Sequence, residues 1–243
     1  MSSVRMAKRF YHLPVSTDVP ITFGDQSMAL LGERAVLWKQ TLIIADVHVG
    51  KSATFRLAGL PVPRQAGEDD LERLSNLIQS RRPDRLLILG DFLHAKAGRT
   101  PETLASLRDF RDRCRLLPIV LVRGNHDRHA GDPPAELDIE TVPTLEEAGL
   151  RFDHEPPAKP SMPTLCGHLH PAVRVRDFDD SSVSMPCFCM DDAGPVLTLP
   201  AFGKFTGNCR MEPCAGRRFF VTGAGQVREV TGNTVARRAS RRH

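Results

Sequence analysis

The sequence predicts an α/β protein in which two β-sheets pack face to face with helices outside them. Two observations predict it. Between residues 41 and 125, apolar runs of strand length alternate with segments of helical period, a β-α-β-α-β series. Such a series builds a sheet with at least one parallel layer. Past residue 150 the helical period disappears, and short apolar runs follow one another between Pro and Gly. A β-rich half behind an α/β half supplies the second sheet.

The elements follow in order. VPITFG and MALLGERAVLW open the chain as short strands, and TLIIAD (41–46) is a buried one. EDDLERLSNLIQSRR sets Leu71, Leu74, Leu77 and Ile78 on one helical face. RLLILGD is the next strand. In PETLASLRDFRDRC, Thr100 is the expected N-cap and Pro101 the first helical residue, with Leu104, Leu107, Phe110 and Cys114 inward. PIVLVRGN is the third strand of the series. PTLCGH, AVRVRDF, PVLTLP, RRFFVTG and QVREV are the later strands, while DHEPPAKPSMP and RDFDDSSVSMP are loops by composition. No repeat or low-complexity linker divides the chain. Residues 1–236 are read as a single domain and 237–243 as a basic, disordered tail.

With 41% hydrophobic and 26% charged residues the composition is that of a soluble globular chain. No run approaches the length of a membrane span, and the opening lacks a signal-peptide apolar region, so the expected compartment is the cytoplasm. The net charge of +4 is concentrated at the ends, in Arg5, Lys8, Arg9, Arg237, Arg238, Arg241 and Arg242. Basic ends suit polyanions, and they also suit a merely solvated tail. The six cysteines are expected as reduced thiols. Cys187-x-Cys189 is too short for a common zinc knuckle with Cys209 and Cys214, and Cys166 belongs to the core.

Four of the apolar runs end in metal-competent side chains. TLIIADVH delivers Asp46 and His48, RLLILGD delivers Asp91, PIVLVRGNHD delivers Asn125, His126 and Asp127, and PTLCGHLH delivers His168 and His170. His154 is a fifth candidate, on a loop. Strand C-termini are where α/β sheets bind ligands. Asp46, Asp91, Asn125, His48, His154, His168 and His170 are mixed oxygen and nitrogen donors without a thiolate, a set that favours Mn, Fe or Zn. Seven donors exceed one tetrahedral ion and suit two ions sharing a carboxylate, a pair that acidifies the water between them. Gly90, Gly124 and Gly167 each precede a donor, where close approach to a metal would exclude a side chain.

The order Asp46-Val47-His48, Gly90-Asp91-Phe92-Leu93-His94, Gly124-Asn125-His126-Asp127, His154, Gly167-His168-Leu169-His170 resembles the calcineurin-like binuclear metallophosphoesterase superfamily. The resemblance implies a double-sheet sandwich flanked by helices, α/β/β/α. It implies one ion on Asp46, His48, Asp91 and His170, and a second on Asp91, Asn125, His154 and His168. It implies that His126 faces the phosphate and assists the leaving oxygen. His94 stands where many phosphatases of the superfamily carry Asp. An imidazole there resembles the repair-nuclease branch, though it also suits a plain loop hydrogen bond. His126, His94 and Asp127 are the candidate catalytic residues.

ADVHVGKSATFRLAGLPVP (45–63), MPCF (185–188) and LPAFGKFTG (199–207) extend the likeness over about residues 28–222, to the PdeM-type ligase-associated DNA damage response endonucleases. That implies two divalent ions, with Mn favoured, a DNA repair role, and functional association with a DNA ligase and a helicase. Lys51, Arg56 and Arg123 are the candidate substrate contacts, with Arg128 and Lys204 behind them. Each is also readable as solvated surface charge. Phe202 and Phe205 suit base stacking or, preferably, the core.

The expected function is Mn-dependent hydrolysis of phosphodiesters in single-stranded or locally opened DNA, by a monomer or homodimer without a membrane partner. The alternative is a phosphoesterase of the same superfamily acting on nucleotides or small phosphate esters. A non-catalytic scaffold is disfavoured, because every donor is present.

Overall fold

The computed structural model describes residues 18–62, 68–176, 181–192 and 194–230. The basic ends lie outside these residues. Four strands, β1 (Asp18–Phe23), β2 (Gln26–Leu31), β3 (Ala35–Trp38) and β4 (Thr41–Ile44), form an antiparallel meander. On the far edge of β4 the strands β5 (Arg85–Leu89), β6 (Ile119–Val122) and β7 (Ile139–Val142) add in parallel. A parallel ladder requires crossover segments, which cover its outer face. Every residue of β4 and β6 is therefore buried, and each reads as an unbroken apolar run instead of an alternation.

The crossovers carry α1 (Lys51–Leu57), α2 (Glu68–Arg81) and α3 (Pro101–Arg113), and α4 (Asn125–Ala130) follows β6. The Thr100 side chain accepts from the Thr103 amide at 3.3 Å, so the expected cap of α3 is present. Leu71, Leu74 and Leu77 of α2 and Leu107 and Phe110 of α3 pack on Leu42, Ile44, Leu86, Ile88 and Leu121 of the sheet. Burying such a side chain contributes about 1.5–3 kcal/mol.

The second sheet contains β8 (Leu145–Glu147), β9 (Leu150–Phe152), β10 (Thr164–Cys166), β11 (Pro171–Arg176), β12 (Ser182–Asp191), β13 (Val196–Thr198), β14 (Cys209–Arg210), β15 (Arg217–Gly223) and β16 (Gln226–Val230). One core lies between the sheets. Trp38, Ile43, Leu87 and Val122 of the first meet Phe152, Leu165, Phe188, Leu197 and Phe220 of the second. Trp38 and Phe152 lie with ring centroids 5.5 Å apart, and the indole nitrogen donates to Gln26. The double-sheet sandwich is thus as expected. The described helices lie on the first sheet's side, and the second sheet's outer face carries the apolar cluster of Val173, Val175, Cys187, Cys189, Phe219 and Val221.

Local differences from the sequence reading have physical reasons. SSVSMP, read as loop, is the first half of β12 and pairs with β11. Its exposed Val183 and Ser184 explain the polar composition. Pro186 falls where β12 leaves β11 for β13 and β15. A missing amide is tolerated at such a junction. The strands β7, β8 and β9 were not anticipated, because edge and three-residue strands carry little pattern. The short helices α1 and α4 were likewise missed. Among the described residues no helix is long and apolar enough to cross a membrane.

Candidate metal centre

The ladder between β4 and β5 does not stop where the strands end. The amides of Asp46, His48 and Val49 donate to the carbonyls of Gly90, Asp91 and Phe92 at 3.1, 2.9 and 2.8 Å, and the His94 amide returns to Val49 at 3.0 Å. Two loops are thereby held like sheet. Between these bonds the backbone turns sharply enough that Asp46, His48 and Asp91 take positive φ, as do His168 and His170 on the second sheet. Positive φ is unusual for residues with a Cβ and marks positions that the surroundings over-determine. Five candidate ligands share it.

Their side chains converge. His48 Nε2 and His170 Nε2 lie 3.2 Å apart, and His170 Nε2 is 3.3 Å from Asp46 Oδ1. Asn125 Oδ1, His154 Nε2 and His168 Nδ1 form a triangle with edges of 2.9, 3.1 and 3.1 Å, and His154 Nε2 is 3.4 Å from Asp91 Oδ1. Asp91 Oδ2 stands 3.9 Å from His48 Nε2, so its carboxylate faces both groups. Asp46, His48, Asp91 and His154 are buried, Asp46 without any exposure.

The donor set fits divalent ions. His154 Nδ1 donates to the Leu89 carbonyl and His170 Nδ1 to the Gly207 carbonyl, each at 2.9 Å. Those bonds leave the converging nitrogens as the metal-facing ones, the arrangement usual for ligating histidines. Donor separations near 3 Å match adjacent corners around an ion with bonds of about 2.1 Å. Burial drives the His48 imidazole down to about 2, against the pull of Asp91. His154 is pushed up to about 9: burial opposes this, but the hydrogen bond and charge of Asp91 prevail. Asp91 itself, although burial raises it, is held below the usual carboxylate range by His154 and His48.

The three glycines lie where a side chain would collide with the site. A Cβ on Gly90 would meet His154 Nδ1 at 2.2 Å, one on Gly124 would meet Asp91 Oδ1 at 2.2 Å, and one on Gly167 would meet Asp46 Oδ2 at 2.6 Å. The three glycines thus make room for the candidate ligands themselves.

Above the clusters lie the imidazoles of His94 and His126, stacked at 4.7 Å with 22° between planes. His126 Nδ1 donates to the His94 carbonyl at 2.8 Å, which leaves Nε2 as its other edge. The His126 amide donates to Asp91 Oδ1 at 2.8 Å. His94 Nδ1 is 3.4 Å from His48 Nδ1, and burial lowers the His94 imidazole to about 4, aided by His126 and Lys51.

Asp127 lies below the imidazole pair. It is fully buried, and its two oxygens accept from the Leu93 and Gly124 amides, both at 2.9 Å. It ties the Asp91–His94 loop to the start of α4, and burial raises its carboxyl. Arg123 is placed away from the donor clusters, in an ion pair. Its guanidinium forms a two-pronged pair with Asp132 at 3.0 and 2.8 Å, and so is turned into a surface ion pair. Lys51 is half-buried at the start of α1, its ammonium lowered by burial and raised by the charges of Asp91 and Asp46, and Arg56 is half-buried on the same helix. Phe202 is buried and Phe205 is exposed, so only the first belongs to the core. The cysteines join no metal-competent group among the described residues.

Sequence reasoning missed two features. A cavity of about 540 Å³ beside α4 is lined by Lys96, Arg99, Arg128 and His129, which no motif spacing joins. The 199–207 loop is pinned by Asp70, which accepts from the Lys204 amide at 3.0 Å, and by Arg73, which donates to the Phe202 carbonyl and lies 4.1 Å over its ring. No spacing signal announces such contacts.

The family described as calcineurin-like phosphoesterase matches residues 39–183. Among solved structures, the chain is similar to the nuclease MPE of Pseudomonas putida, with 40% identity, a TM-score of 0.73, and coverage of 88% of this chain and 100% of that one. A second similarity, to Yfce, a phosphoesterase from E. coli, has 15% identity and a TM-score of 0.32 over 74% of this chain and 86% of that one, too slight to carry an argument. No curated protein matches.

Proposed function

The chain belongs to the calcineurin-like phosphoesterase family, hydrolases of phosphoester bonds, and from that premise we propose that it is an Mn-dependent DNA endonuclease serving DNA repair. Its substrate is single-stranded or locally opened DNA, and its setting is the cytoplasm, in functional association with a DNA ligase and a helicase. The core shared by the two sheets supports reading the chain as one domain.

The observation that carries the reading is the stacked imidazole pair above the two donor clusters. Asp46, His48, Asp91 and His170 would hold one ion, and Asp91, Asn125, His154 and His168 the other. Bound divalent ions supply positive charge and an acidified water there. The chain supplies the rest. The oxygen of a water that has given up one proton to solvent attacks phosphorus in line with the departing ester oxygen, and the P–O bond to that oxygen breaks. His126, oriented by its bond to the His94 carbonyl, gives that oxygen a proton, leaving an alcohol and a phosphomonoester. His94 hydrogen-bonds a non-bridging oxygen. A diester has lower charge than a monoester dianion and a poorer leaving group, so it gains more from the second imidazole. The cavity lined by Lys96, Arg99, Arg128 and His129 offers charge to a flanking backbone phosphate, which a small ester lacks. The nuclease named in the 40% identical relative agrees with this choice over a small-ester phosphatase.

The test starts from metal-free protein given each divalent ion in turn. Mn²⁺ should support cleavage of single-stranded DNA, with little in Mg²⁺ or Ca²⁺, because Mg²⁺ prefers all-oxygen sites. Bis(p-nitrophenyl) phosphate should turn over much faster than p-nitrophenyl phosphate, and His94→Ala should depress the diester rate selectively. Preference for the monoester would return the chain to the small-ester reading.

A further inference from the structure

Phe205 keeps 38% of its surface in water although its loop is tied on both sides. The Gly203 amide donates to the Asp46 carbonyl at 3.0 Å, Lys204 is held by Asp70, the Thr206 hydroxyl donates to the Gly203 carbonyl at 3.0 Å, and Gly207 accepts from His170. An exposed aromatic on a fixed loop is not core that failed to bury itself. Its ring meets Phe55 of α1 at 5.6 Å and 74°. Phe55 in turn meets His94 edge-on at 6.0 Å and 88°, and His94 stacks on His126. Four rings thus run without a break from the candidate general acid to solvent. Beside them the Lys51 ammonium lies 5.9 Å from the Phe55 centroid, and Leu57 and Leu60 are 67% and 51% exposed.

We propose that Phe205 and Phe55 form a ledge on which the unpaired nucleobase next to the scissile phosphate stacks, with Lys51 facing the adjoining phosphate. The inference rests on the nuclease reading above and deepens it. The occupant follows from the surroundings: an apolar π-face flanked by a cation, continuous with a phosphate site, matches a nucleotide, which carries a flat base and an anion on one sugar. A base inside a duplex already has both faces covered by its neighbours. An unpaired base does not, so the ledge selects single strands without reading sequence, as aromatic platforms do.

The experiment measures steady-state cleavage of a single-stranded oligonucleotide in Mn²⁺. Phe205→Ala should raise KM about ten-fold with kcat changed by less than about two-fold, the size expected for one stacked base. Phe205→Trp should restore KM, and Phe55→Leu, which keeps apolar volume under the ledge, should shift it in the same direction as Phe205→Ala. The same oligonucleotide made abasic around the cut should cost the wild type a similar factor, and the two losses should not add. Full additivity on the abasic strand, or an unchanged KM on the intact one, would overturn the ledge while leaving the nuclease reading standing. Absence of any wild-type DNA cleavage, with ester hydrolysis intact, would instead remove the reading on which the ledge rests.

Discussion

Asp46, His48, Asp91 and His154 have almost no contact with solvent, and three of them sit at positive φ on backbone that is hydrogen-bonded as sheet. A few ångströms above, His94, His126, Lys51 and Phe55 are half-exposed and come from loops or short helices. The lower group is immobilised and the upper group is reachable. Holding a small ion calls for donors fixed from several directions at once, at a cost in backbone strain of about 1–3 kcal/mol per unusual residue. Meeting a large substrate calls for surface. The difference predicts that damage below removes metal and activity together, whereas damage above removes activity alone.

Asp91→Ala should give the largest effect. Its carboxylate faces both donor groups and also accepts from His126, so hydrolysis should disappear and bound metal, counted by elemental analysis, should fall below two per chain. Two ions retained would break the distinction between the levels. His126→Ala tests the upper level: turnover should fall about 10²–10⁴-fold while metal content stays at the wild-type value. Loss of metal in that variant would move His126 to the lower group.

Asp127→Asn sharpens the boundary, because this residue lies next to His126 in sequence but is fully buried. An amide can accept only one of the two backbone bonds, and the protein should lose about 2–3 kcal/mol of stability, read as a lower Tm. A fall in kcat at unchanged Tm would place Asp127 in catalysis. Arg123→Ala is the smallest change. Its exposed pair with Asp132 should contribute less than about 1 kcal/mol, and DNA affinity should stay within about two-fold. A large rise in KM would show that the pair opens to receive substrate.

The same division explains what was legible in the sequence. The candidate ligands could be read because each ends a strand whose apolar run is unmistakable, and because Gly marks each tight approach. His154 had no such run, yet the Leu89 carbonyl and Asn125 bring it into place. The surroundings of Asp127 and Arg123 had no signal in the sequence: nearness to GNHD suggested chemistry for both, while the first turn of α4 sends Asp127 inward to backbone amides and the end of β6 sends Arg123 to Asp132. Phe55 carried no signal, and Phe205 was assigned to the core, because an exposed aromatic cannot be told from a buried one until the loop's anchors are known. The arm of β12 was hidden by its own exposure.

The closing of the site across the two sheets also sets a clock on its birth. Asp46 and His48 meet His168 and His170 at a separation of 122 residues. A ribosome adding about 5–20 residues per second leaves an interval on the order of ten seconds between their emergence. Throughout it the first sheet can form, but neither donor group is complete, since each draws at least one histidine from beyond residue 150. A truncated or stalled chain therefore presents carboxylates without their partner imidazoles. Neither donor group can close before residues 168 and 170 have emerged, so an unfinished copy lacks a complete hydrolytic site.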